Sequence, residues 1–123
     1  MELSKEFQMN LNKLARRINT EIFDNQIDLT SLVIKSKYKL VRGNGIAGIT
    51  YAFIHESGRR LAVVYIFTKY CKNKKFVKKV LIHEMVHVYQ NQLKQKMNHN
   101  GAFMKYFCKK ARKFGYEIEM GRV

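Results

Sequence analysis

The chain contains no proline, only two cysteines, and nine acidic residues against 24 lysines and arginines. Each shortage excludes something. There is no proline-rich linker, and no other linker, repeat or low-complexity stretch, so the 123 residues read as one domain, 1–123. Cys71 and Cys108 stand alone in the sequence. Two isolated thiols make neither a disulfide framework nor a C-x-x-C zinc pair, and the expected compartment is reducing and intracellular. No run approaches the roughly 20 apolar residues of a membrane-spanning helix. The opening residues MELSKEFQMN lack the basic and then apolar stretches of a secretory signal. What remains is an ordinary globular composition, 46% hydrophobic, on a chain long enough to bury a core.

The shortage of acid is local as well as general. The formal net charge is +15, and between Lys69 and Lys113 there are 13 basic residues against a single acid, Glu84. Such a field attracts a polyanion, and phosphate contacts are its usual use. The competing reading is a solvated, solubility-promoting surface. The local bias around one segment favours nucleic acid, bound through the Lys/Arg-rich surface of residues 69–113.

An α+β order of elements is expected. Phe7, Leu11, Leu14, Ile18 and Ile22 recur at helical spacing, with Ser4 placed to cap the start and Asp24-Asn25 to stop the helix. Three strands follow: Leu29–Lys35, Gly45–His55 and Leu61–Thr68, the last two joined by a hairpin at Ser57-Gly58. Three successive strands predict a small, mainly antiparallel sheet. Two further helices are expected over about Asn73–Lys94 and Gly101–Phe114, the second with an apolar stripe of Phe103, Phe107, Ala111 and Phe114 and with Gly115 at its C-terminal cap.

The first of these two helices carries the densest chemistry in the chain, His83-Glu84-Met85-Val86-His87. At 3.6 residues per turn, the two histidines of H-E-x-x-H point only about 40° apart. Glu84 lies within the same arc of roughly 100°. Two imidazoles and a carboxylate on one helical face form the core of a zinc hydrolase site: two ligands and a general base. A hydrolytic zinc keeps three protein ligands and one open position. The candidate third ligand is His99, twelve residues beyond His87 and just before the last helix. Glu84 would then activate a zinc-bound water, whose pKa the metal lowers to about 7. The last strand, Leu61–Thr68, is the candidate for pairing edge-on with an extended substrate peptide. Tyr89, Tyr106 and Tyr116 are candidates for a second oxyanion donor. With Glu84 the one acid near the motif in sequence, backbone carbonyls are the candidates to accept from the far sides of the imidazoles.

One competing motif falls away. Gly43-Asn44-Gly45-Ile46-Ala47-Gly48 matches G-x-G-x-x-G. A dinucleotide fingerprint requires a helix after that loop, whereas here a strand follows. The glycines are read as a turn, with close backbone approach. His55, beside the hairpin, is read as a surface residue.

The segments VLIHEMVHVYQ and NHNGAFMKYFCKKARKFGY resemble the SprT-like metalloprotease domain, the group that includes the Spartan DNA–protein crosslink proteases. His99-Asn100-Gly101-Ala102-Phe103 is similar to that family's third-histidine segment, and Glu21–Gln26 to its turn after the first helix. The resemblance implies a zincin-like (gluzincin-type) fold with an N-terminal helix, a three-stranded sheet, an active-site helix and a C-terminal helix. It implies one zinc ion held by His83, His87 and His99, with Glu84 as the catalytic residue. It also implies proteolysis of proteins bound or crosslinked to DNA. Apart from the resemblance, a monomer is the expected state. Two departures accompany it: there are no cysteines for the C-terminal zinc ribbon of bacterial members, and the DNA-binding tails of larger members are absent. Two alternatives stay open, a zinc-stabilised DNA-binding module without significant protease activity and a peptidase unrelated to DNA.

Overall fold

The computed structural model of the chain describes residues 5–39, 45–71, 73–95 and 101–116, with residues 5–9 as backbone only. Among them the architecture is α+β: three helices and one three-stranded sheet, in the order α1 (Lys5–Ile22), β1 (Leu32–Lys37), β2 (Gly48–Ile54), β3 (Arg60–Phe67), α2 (Lys74–Gln92) and α3 (Ala102–Lys113).

Helix α1 buries Leu11, Ile18 and Ile22 of the expected stripe, with Leu14 partly buried and Ala15 buried beside them; the Phe7 side chain lies outside those described. The stop at Asp24-Asn25 is a pair of residues in the left-handed region, φ 52° and 59°. Asn19 fixes the turn from inside the core. Its side chain donates to Ile27 O at 3.0 Å and accepts from Ile27 N at 3.1 Å. Residues 29–31 form a 3-10 turn rather than the start of a strand, because Asp28 accepts from the Thr30 N–H and from the Thr30 and Ser31 hydroxyls. The first strand therefore begins at Leu32.

The strand order is β1-β3-β2. β2 and β3 are the expected antiparallel hairpin, with Gly58 at φ 87° in its turn. β1 and β3 are parallel, with Ile34 opposite Val64. The mainly antiparallel sheet expected from three successive strands is thus a mixed one. β3 enters between the two earlier strands, and reversing after β2 leaves it parallel to β1.

Helix α2 packs across one face of this sheet, on Ala62, Val64 and Ile66 of β3 and Thr50 of β2, all buried. Its N-terminus is capped by Asn73, whose side chain accepts from Phe76 N at 2.9 Å. Helix α3 packs against α2 and α1 through Met104, Phe107, Cys108 and Ala111. It ends in a Schellman motif: Gly115, at φ 87°, donates to Arg112 O, and Tyr116 donates to Ala111 O. No helix among the described residues is long and apolar enough to cross a membrane.

Candidate metal centre

Every residue of α2 from Val80 to Val88 is buried, His83, Glu84 and His87 among them. Burying three polar side chains in a core carries a penalty unless something satisfies them. The satisfying arrangement is specific. The two imidazoles meet edge to face, ring centroids 4.9 Å apart, and their Nε2 atoms stand 3.3 Å from each other. On its other side the His87 ring donates from Nδ1 to Gln90 Oε1 at 2.9 Å, and Gln90 is itself buried. That bond puts the proton on Nδ1 and turns the Nε2 lone pair toward His83.

This donor set fits a metal ion. A tetrahedral ion with metal–nitrogen bonds near 2.0–2.1 Å holds two imidazole nitrogens about 3.3–3.4 Å apart. A cation between the two Nε2 atoms would take a lone pair from each ring. Among the described residues no further histidine, cysteine or carboxylate completes a three-ligand cluster. His99, the third ligand expected from the sequence, lies outside the described residues.

Glu84 turns toward β2 and accepts from the Thr50 hydroxyl at 2.9 Å. Burial pushes its carboxyl up to about 7, against the Thr50 bond, which favours the carboxylate. A buried carboxyl that titrates near neutrality is matched to accepting a proton and giving it back. The glycine motif contributes here in an unexpected way. A Cβ on Gly48 would come within 2.5 Å of Val80 Cγ1 and 3.2 Å of Glu84 Cγ. Glycine is needed at that position so that β2 can lie close against the motif helix, which is the close backbone approach expected of this loop.

Two expectations are corrected. β3, read as the strand that pairs with substrate, is the central strand, and its backbone is engaged on both sides by β1 and β2. Among the described residues, the sheet edge beside Glu84 belongs to β2 and pairs with no further strand. Of the candidate oxyanion donors, Tyr116 commits its hydroxyl to Glu21 at 2.8 Å. Tyr89 packs into an aromatic cluster with Phe23, Phe103 and Phe107, and Tyr106 is 61% exposed on α3. The sequence reading also missed Thr50 and Gln90. Gln90 was within reach, one turn beyond His87 on the same helical face. Thr50 required knowing that β2, and not β3, flanks the carboxylate.

The flanks are basic. Lys74, Lys75, Lys78 and Lys79 crowd the first turns of α2, whose first turn holds no acid. Positive side chains there oppose the positive end of the helix dipole, an arrangement that an anion would relieve. Cys71 and Cys108 are free, with both thiols pushed up by burial, Cys71 to about 11, so neither is primed as a nucleophile.

Among curated proteins, none matches the chain. A comparison with protein-family models does match, with the SprT-like family over residues 11–121. Domains of this family are metallopeptidase-like and typically metal-dependent, in keeping with the paired, buried imidazoles. The match takes in the whole sheet, the motif helix and α3, and the chain belongs to the SprT-like family.

Proposed function

We propose that the chain is a zinc-dependent endopeptidase of zincin-like fold that hydrolyses peptide bonds in proteins bound or crosslinked to DNA. The observation that carries this reading is the pair of buried Nε2 atoms 3.3 Å apart, on the helical turn that also carries Glu84. His83 and His87 would hold the ion, with His99 as the third ligand. When bound, zinc supplies a Lewis acid for the scissile carbonyl and acidifies the attacking water. Glu84 takes the proton of that water and delivers it to the leaving amine. Thr50 holds the carboxylate in place by its hydroxyl, and Gln90 fixes the His87 tautomer. The free edge of β2 aligns the substrate as an added strand next to the carboxylate. The basic surface of residues 69–113 supplies the attraction to DNA. The free thiols of Cys71 and Cys108 fit a reducing, intracellular setting.

The test is metal analysis together with cleavage of a DNA-bound protein, on wild type and Glu84→Gln. Both proteins should hold one zinc per chain, and the variant should lose cleavage by about 10²–10⁴-fold, the usual contribution of a positioned base. Normal cleavage by Glu84→Gln removes Glu84 from the chemistry. Zinc and DNA binding with no cleavage by wild type would favour the DNA-binding module. Cleavage that DNA neither stimulates nor accompanies would favour a peptidase unrelated to DNA.

A further inference from the structure

Among the described residues, the helices cover one of the two faces of the sheet. On the other face the register places Val33 of β1, Val63 of β3 and Tyr51 of β2 in one row, and Lys35, Tyr65 and Ile49 in the next. Phe53 extends the β2 column by one more position, opposite Leu61. Tyr51 is 45% exposed, Phe53 48% and Val33 49%. Two of the rings touch: Tyr51 meets Tyr65 edge-on at 5.8 Å, and the Lys37 ammonium sits 5.0 Å over the Tyr65 ring. The three strands contain no Asp or Glu.

We propose that this outer face is a binding platform for single-stranded nucleic acid, with bases stacked on Tyr51 and Phe53 and phosphates held by Lys35 and Lys37. Aromatic rings on a sheet, bordered by cations, are what an unpaired strand requires: a π-face for each base and a positive track for its backbone. A duplex hides its base faces and cannot use the rings. Charge decides against a second copy of the chain or another protein as occupant. Lysine is depleted from protein interfaces, and two copies at +15 each would bring like charges together over the same face. Alternate residues of a strand stand roughly 6.6 Å apart, so Tyr51 and Phe53 can each receive a base.

The platform rests on the proposed action on DNA-bound protein and deepens it, because β2 belongs to both sites. Thr50 points inward to Glu84, and its neighbour Tyr51 points outward. A strand lying on the outer face would deliver an attached protein to the free edge of β2, one strand away from the carboxylate.

The test is anisotropy of a short labelled oligothymidylate, and of a duplex of equal length, at one salt concentration. Tyr51→Ala and Phe53→Ala should each weaken single-strand binding by between about 5- and 150-fold. Duplex binding should stay close to wild type, and circular dichroism should confirm the fold, since both side chains are exposed. Tyr51→Leu keeps the apolar area but removes the π-face, so it should bind like Tyr51→Ala. Equal losses for single strand and duplex, full binding by the leucine variant, or no oligonucleotide binding at all would each overturn the platform. So would a wild-type dimer, seen by sedimentation, that Phe53→Ala dissociates. Peptide cleavage by a protein indifferent to these substitutions sinks the platform alone. Selective single-strand binding without cleavage sinks the hydrolase reading and leaves the platform standing.

Discussion

Helices α2 and α3 lie in the same core and obey opposite rules. α3 buries Met104, Phe107, Cys108 and Ala111, spaced three and four apart, and leaves Lys105, Lys109, Arg112 and Lys113 exposed. α2 is buried all round from Val80 to Val88, yet three of those nine positions are His83, Glu84 and His87. α3 follows from burial and solubility alone. In α2, apolar residues would pack at lower cost than two imidazoles and a carboxyl. A stretch of core that keeps polar groups at the expense of stability is where function overrides folding.

The largest effect should come from removing that override. His83→Ala and His87→Ala should each take bound zinc from one ion per chain to near zero and abolish cleavage. His99→Ala should do the same if it is the third arm. In wild type, zinc at about 100 times its dissociation constant should stabilise the fold by about 2.7 kcal/mol, and the variants should lose that increment. Elemental analysis and thermal melts with and without zinc read both quantities. A variant at His87 that keeps its full zinc content would dissolve the contrast between the two helices.

Next comes the shell behind the ligands. Gln90→Leu keeps the volume and the burial but removes the acceptor for His87 Nδ1. Zinc affinity should fall by about 10–100-fold, measured by competition with a chelator, while the metal-free fold holds. An unchanged affinity would mean that the His87 tautomer is set by something other than Gln90.

Gly48→Ala asks how closely the sheet must approach α2. The added methyl meets Val80 and Glu84 from the β2 side. Overpacking of this kind costs about 1–3 kcal/mol. Cleavage should fall as well, because Glu84 or Thr50 must shift to make room. A denaturant melt and a cleavage assay separate the two losses. Stability and activity both at wild-type level would show that β2 can retreat freely.

The same contrast explains what the sequence revealed. The stripes of α1 and α3 and the motif of α2 are periodic and local, so spacing exposes most of them. Phe114, read into the α3 stripe, lies past the helix end and is 50% exposed, while Met104 and Cys108 are buried beside Phe107 and Ala111. The glycine at 115 is equally local. Strand order is not. Nothing within β1, β2 or β3 says that β3 lies in the middle, so succession along the chain predicts a mainly antiparallel sheet with β3 at an edge, whereas the order is β1-β3-β2. The partners of the motif divide in the same way. Gln90 is three residues from His87, while Thr50 reaches Glu84 across 34 positions of chain.

The smallest effect belongs to the ordinary half of the comparison, where α3 ties back to α1. Just beyond α3, the Tyr116 hydroxyl donates to Glu21 Oε2 at 2.8 Å, and Arg17 donates to Glu21 Oε1 at 2.9 Å. Burial pushes the Glu21 carboxyl up, but the bonds from Arg17 and Tyr116 outweigh it and hold the group below its ordinary value of 4.5. Its stabilisation is therefore complete above that value and is lost as the pH falls through the lower, folded one. Tyr116 is pushed up to about 12, by burial first and then by its bond to Glu21, so its share persists below 10 and fades as the pH rises through about 12. Tyr116→Phe should lower stability by about 1 kcal/mol at neutral pH, with the ring still packed. The deficit should shrink in acid, once Glu21 is protonated and the bond loses its charge. Zinc content should not change, because this tie serves the fold alone. A deficit that persists undiminished in acid would mean that the ring's packing, and not the bond to Glu21, had been disturbed. A change in zinc content would mean that α3 is coupled to the metal-binding face of α2 after all.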